Sequence, residues 1–165
     1  MQLKDLFDYK NQLMSDLLTS PEIVELIDDQ IDIADAEQLA YTQVFPYEYV
    51  PETIQEGKTY VCFDVDVQKA YNKSFLEAVI YVWVFCHKHA LRLPEGGVRP
   101  DKLCCKICER LNGSRMYGLG ELDFSSMRRF APMTDYLGKC MVFNATEMNR
   151  QYDGSRPVPT NRKVG

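Results

Sequence analysis

The stretch Phe75-Leu-Glu-Ala-Val-Ile-Tyr-Val-Trp-Val-Phe-Cys86 decides the fold: Glu77 is its only charged residue, and β-branched and aromatic side chains fill most of the rest. A short, nearly continuous apolar run of this kind is expected of a central strand covered on both faces. It forms the spine of a sheet. Just upstream, Tyr60 to Val67 alternates, with Val61, Phe63, Val65 and Val67 on one face and Cys62, Asp64 and Asp66 on the other. That is the period of a half-buried strand. Gln68 to Ser74 is polar enough for the hairpin connection, with room for a bulge.

Downstream, the turn Pro94-Glu95-Gly96-Gly97 leads to Leu103, Cys104, Ile107, Cys108 and Leu111, one helical face that Asn112 and Gly113 bring to a stop. A polar, Gly-rich loop from Gly113 to Gly120 precedes strands around Leu122 to Phe130 and Lys139 to Asn144. At the other end of the chain, Leu3, Leu6, Phe7, Leu13, Met14, Leu17 and Leu18 recur at spacings of three and four, the signature of an amphipathic helix. Ser20 and Pro21 open a second short helix carrying Ile23, Val24, Leu26 and Ile27 and ending near Asp28 and Asp29. Residues 30 to 58 are acidic and aromatic around Phe45-Pro46-Tyr47-Glu48-Tyr49-Val50-Pro51. They read as a long loop that either covers its own core or lies against a partner. The expected fold is therefore α+β: N-terminal helices, an antiparallel four-stranded sheet in two hairpins with a helix between them, and an extended C-terminal arm. Residues 1–150 make one domain, and 151–165 make the basic arm.

A chain of 165 residues with 45% hydrophobic content suits one domain whose core needs no disulfide or metal. No stretch reaches the roughly 18 uninterrupted apolar residues of a membrane helix, and the first residues lack the order of a signal peptide. A cytoplasmic protein without a membrane partner is expected. Its six cysteines then read as reduced and mostly buried. A net charge of -5 argues against a protein that grips the outside of DNA. The charge is uneven, since acidic residues dominate from Asp5 to Glu56 while Arg150, Arg156, Arg162 and Lys163 close the chain. Opposite charge at opposite ends suggests contact between neighbours in a homomeric assembly, with two separately solvated surfaces as the plainer alternative.

Each candidate for chemistry has a bland counterpart. Cys104, Cys105 and Cys108, with Cys86, His87 and His89, contain the types for a zinc site, but Cys104 and Cys108 share a helical face with Leu103, Ile107 and Leu111 and there behave as small hydrophobes. Asp64 and Asp66 on one strand face could begin a magnesium site, with Glu77 and Glu121 as loosely placed partners; solvent-facing charge explains them as well. His87 or His89 with a cysteine or Ser114 could form a base and nucleophile, yet both histidines sit at a polar strand end. No motif spaces a nucleophile, base and orienting group recognisably. Catalytic residues, cofactor and metal are therefore expected to be absent.

The segments LKDLFDYKNQLM, VFPYEYVPET, FDVDVQKAYNKSF, LRLPEGGVRPDKL, LNGSRMYGLGELDF and RRFAPMTDYLGK are similar to those of small neck-region proteins in prophages of Gram-positive hosts. The order of elements resembles the tail-terminator and tail-completion family of tailed bacteriophages, over most of residues 1 to 150. The resemblance implies a structural virion protein of the neck, assembled in the host cytoplasm as a homo-oligomeric, commonly hexameric ring. Such a ring caps the tail tube protein, meets a head-side connector or stopper protein, and lets double-stranded DNA pass without specific binding. A head-tail adaptor, stopper or assembly chaperone is the second reading; a metal-dependent nuclease or cysteine hydrolase is the third. Under the first, the expected contacts are Phe45, Tyr47 and Tyr49 of the aromatic loop, Arg115 and Tyr117 of the Gly-rich loop, Arg128 and Arg129 of the next strand, and Arg150, Arg156 and Arg162 of the arm.

Overall fold

A computed structural model describes residues 3–70 and 74–148. The apolar stripe at the N-terminus forms helix α1 (Asp5–Leu18), which buries Leu13, Leu17 and Leu18 and ends where Thr19 turns its hydroxyl and its N–H onto Ser15 O, at 2.7 and 3.0 Å. Helix α2 (Pro21–Ile27) starts on Pro21 as expected, but the carbonyl of Ser20 takes the first helical bond, from Val24 N at 3.0 Å, and its hydroxyl caps nothing. The sheet holds β1 (Val44–Phe45), β2 (Thr59–Ala70), β3 (Phe75–His87), β4 (Leu119–Phe130) and β5 (Tyr136–Met148), in the order β1-β2-β3-β5-β4. Helix α3 (Arg99–Leu111) lies between the two hairpins, β2–β3 and β4–β5.

The four long strands are antiparallel neighbours, as the patterns require. Two features within residues 30 to 58 correct the expectation of a plain loop. A 3-10 helix spans Ile33–Leu39, and β1 adds a fifth strand, parallel to β2 with Val44 opposite Val61 and Phe45 opposite Cys62. Both are too short to show a period: the 3-10 helix sends only Ala36 and Leu39 inward, and β1 is two residues long. The expected bulge is present between Val67 and Lys69.

One sheet face carries the main core. Val61, Phe63, Ile80, Val82, Val84, Met141 and Phe143 meet Leu13, Leu17, Ile23, Leu103, Ile107 and Leu111 from the three helices. Each such side chain contributes roughly 1.5–3 kcal/mol on burial, so this layer dominates the stability. Among the described residues the opposite face is covered at one end only, by an aromatic cluster in which Phe45 stacks on Tyr49 at 3.9 Å and Tyr60 stacks on Phe85 at 5.3 Å. Strand β3 is thus covered on both faces over its last residues, while Tyr81 and Trp83 remain half-buried. Polar ties fix the layers: Gln43 Nε2 donates to Thr59 O at 3.1 Å, and Arg99 donates to Ala90 O at 2.8 Å and Leu26 O at 3.0 Å.

Candidate interaction surface

The clusters that could carry chemistry come apart in three dimensions. Cys62, Cys86, Cys104 and Cys140 are buried, Cys108 is half-buried and Cys105 is exposed. Burial pushes the thiols of Cys62 and Cys104 up to about 12 and that of Cys86 up to about 11, far from the thiolate a nucleophile or metal ligand needs. Among the described residues no three His, Cys, Asp or Glu side chains gather as metal ligands. His87 is buried edge-on to Tyr136, ring centroids 5.6 Å apart, and its Nδ1 accepts from His89 N at 3.3 Å. Ser114 lies beyond the far end of α3, about 20 Å from these histidines by the rise of the helix. Asp64 is paired with Lys10 Nζ at 2.7 Å. Glu121 is on β4, three strands away and well along the strand from Ser126, the residue in register with Asp64, so it is more than about 14 Å distant.

What the surface does offer is two unlike sheet edges. Strand β4 closes one side of the sheet, and of its twelve residues only Leu122 is buried and only Phe130 partly so. Its start is held by the turn after α3: Asn112 Oδ1 accepts from Phe124 N at 2.9 Å, and Gly113 and Ser114 exchange 2.8 Å bonds with Leu122. Beyond a second bulge at Phe124 and Ser126 it has no strand neighbour on its outer side among the described residues. Phe124, Met127 and Arg129 share the face that the helices cover nearer the sheet centre, yet Phe124 is 41% and Met127 48% exposed. Beside them a groove of about 260 Å³ is lined by Val98, Pro100, Arg129, Leu137 and Lys139. Arg128 puts a further cation on the other face of the same edge, near Cys140.

The β1 side is acidic. Asp29, Asp32, Asp35 and Glu37 are exposed along the segment leading to β1, and among the described residues Asp32, Asp35 and Glu37 have no ion-pair partner. Ile33 is 44% exposed between them. Tyr41 is held at φ 62, the left-handed region, and is 63% exposed, with Tyr47 6.5 Å away. A bulky residue in that conformation costs roughly 1–2 kcal/mol, and such strain concentrates at sites with a function.

Of the contact residues expected from the sequence, Tyr47, Arg115, Arg128 and Arg129 are on the surface, Arg115 in a 3.0 Å pair with Glu121. Two expectations are corrected. Phe45 is 4% and Tyr117 1% exposed, because Phe45 enters the aromatic cluster through β1 and Tyr117 plugs the space between α1 and the sheet. Tyr49 is half-buried on Phe45. Arg150, Arg156 and Arg162, with the basic arm, lie outside the described residues. Sequence reasoning missed Ile33, Tyr41, Phe124, Met127 and Leu137. Strict alternation would put Met127 on the face opposite Phe124; the bulge between Phe124 and Ser126 brings it onto the same face instead, and nothing local distinguishes Tyr41 from its neighbours.

The class so defined is a single-sheet α+β domain with helices on one face and chemically opposite edges. A family model, YomW, matches residues 4–145, and the chain belongs to this phage-derived family. No curated protein matches it.

Proposed function

We propose that the protein is a structural, non-catalytic component of the phage neck, acting as a tail-terminator-like ring that caps the tail tube and meets the head-side connector. The observation that carries this reading is β4, a long edge strand with exposed apolar side chains in a domain whose core is otherwise complete. Such an edge is a template for another chain and is normally blunted or covered. Membership of a phage-derived family supports a viral setting. The net charge of -5 suits a channel through which DNA slides without adhering. A head-tail adaptor is the second reading, favoured if the edge is covered by a different protein.

The test is the absolute mass in solution, by light scattering after size exclusion, with and without chelator and reductant. A ring predicts a discrete multiple of 19.1 kDa that neither reagent changes. A monomer that gains mass only with a head-side partner would favour the adaptor.

A further inference from the structure

We infer that the two edges are the two halves of one head-to-tail contact between copies of this chain: the acidic β1 side of one copy seats on the basic, apolar β4 side of the next. This rests on the self-assembly reading above and names its surfaces. The occupant is chosen by complementarity. The groove at β4 presents Arg129 and Lys139 around Val98 and Leu137, with Asp101 in the same lining 3.8 Å from Lys139 Nζ and Met127 further along the strand. The β1 side presents Asp32, Asp35 and Glu37 around Ile33 and Tyr41, apolar side chains of a size to enter such a groove. Each surface has an exposed apolar centre; the charge about Ile33 and Tyr41 is acidic, while at the β4 groove Lys139 is paired with Asp101 and Arg129, with Arg128 on the other face of the edge, supplies the excess positive charge.

The competing arrangement is a two-fold pairing of β4 with β4. With its axis at Arg128 and Arg129, the positively charged end of the strand, it would set these residues against their own copies, and like charges directly opposite are destabilising. It would also leave Ile33 and Tyr41 in water. Because β1 and β4 are opposite edges of one sheet, the unlike pairing is heterologous. Such contacts propagate in one direction and close into a ring when the rotation per copy allows.

The experiment uses two charge reversals in the full chain. One variant carries Asp32→Lys and Asp35→Lys, the other Arg128→Glu and Arg129→Glu. Far-UV circular dichroism and the thermal midpoint establish that each is folded, and sedimentation velocity reads the assembly. The wild type should sediment as a multi-subunit species and each variant as a 19.1 kDa monomer, since each now opposes like charge to like. An equimolar mixture of the two should recover the assembly, because the basic β1 side of the first meets the acidic β4 side of the second and the reverse pair is also complementary. Recovery in the mixture excludes misfolding as the cause of the loss. If the wild type assembles and the single variants assemble equally, or the mixture stays monomeric, this surface is wrong while self-assembly stands. If the wild type itself is monomeric up to high concentration, the self-assembly reading falls and this inference falls with it.

Discussion

Tyr117 Oη donates a 2.5 Å hydrogen bond to Asp16 Oδ2, which fastens the Gly-rich loop after α3 to the last turn of α1. Arg110 reaches the other oxygen of the same carboxylate at 3.6 Å, so one side chain gathers two helices and a loop. Burial, with the Asp16 charge beside it, holds the Tyr117 hydroxyl well above the usual tyrosine range. Tyr117→Phe removes the donor and leaves the ring in place. It should cost about 2 kcal/mol, the usual worth of a buried bond to a charged group, measured by urea unfolding. An unchanged midpoint would mean that Arg110 and Gln12, whose Nε2 donates to Asp16 Oδ1 at 3.1 Å, satisfy the carboxylate without it.

Gly138 sets how closely β3 and β5 approach. A Cβ at this position would lie 1.9 Å from Val84 O and 2.6 Å from Phe85 Cα, both backbone atoms that cannot turn aside. Gly138→Ala should therefore destabilise by about 3 kcal/mol, the upper range for overpacking. Gly96→Ala is the control: its φ is +95 but nothing stands within 4 Å. There only the backbone term of about 1 kcal/mol remains. Similar losses at both sites would show that the sheet shifts freely at Gly138.

Alkaline pH should weaken the fold sooner than the acidic composition suggests. Burial raises the thiols of Cys62, Cys86 and Cys104 from 9.0 to about 12, 11 and 12. Their contribution is complete below pH 9. Above it the unfolded chain releases protons that the folded chain retains, so stability falls until the folded values are passed, by up to about 1.4 kcal/mol per pH unit for each thiol. Guanidine unfolding at pH 8 and pH 10 should separate the two, and Cys62→Ala should flatten the slope.

Lys10 clips the aromatic loop to the sheet, donating to Pro46 O at 2.8 Å and pairing with Asp64 at 2.7 Å. The site is partly exposed, so Lys10→Met should cost only about 0.5 kcal/mol globally. Local opening is another matter, because loops unfold independently of the core. Limited proteolysis should cut within residues 46–58 several times faster in the variant, while cleavage elsewhere is unchanged.

The regular elements were legible because their residues repeat. Leu13, Leu17 and Leu18 of α1, the alternation from Val61 to Val65, and the apolar run of β3 each report a burial pattern over several residues. The site was legible only in its charge. Arg128 and Arg129 stood out by type, but the composition of the Gly-rich loop hid the burial of Tyr117, whose partner Asp16 is 101 residues away. Gly118 and Gly120 looked like turn residues; Gly118 at φ +136 would place a Cβ 2.7 Å from Thr146 O, so it marks a close approach to β5. Contacts between distant segments leave no local period, and those are what placed Phe45, Tyr117 and Tyr41.

The order β1-β2-β3-β5-β4 puts β5, the last strand among the described residues, inside the sheet, between β3 and β4. During synthesis the flank of β3 therefore stays bare until residues 136–148 have emerged, and β4 waits unpaired beside nothing. Long-range pairing of this kind folds slowly and exposes strand edges meanwhile. A ribosome stalled before Tyr136 would hold a chain with its most apolar strand unprotected along one side, which makes emergence of residues 136–148, rather than any single helix, the event that completes the pairing of β3 and β4.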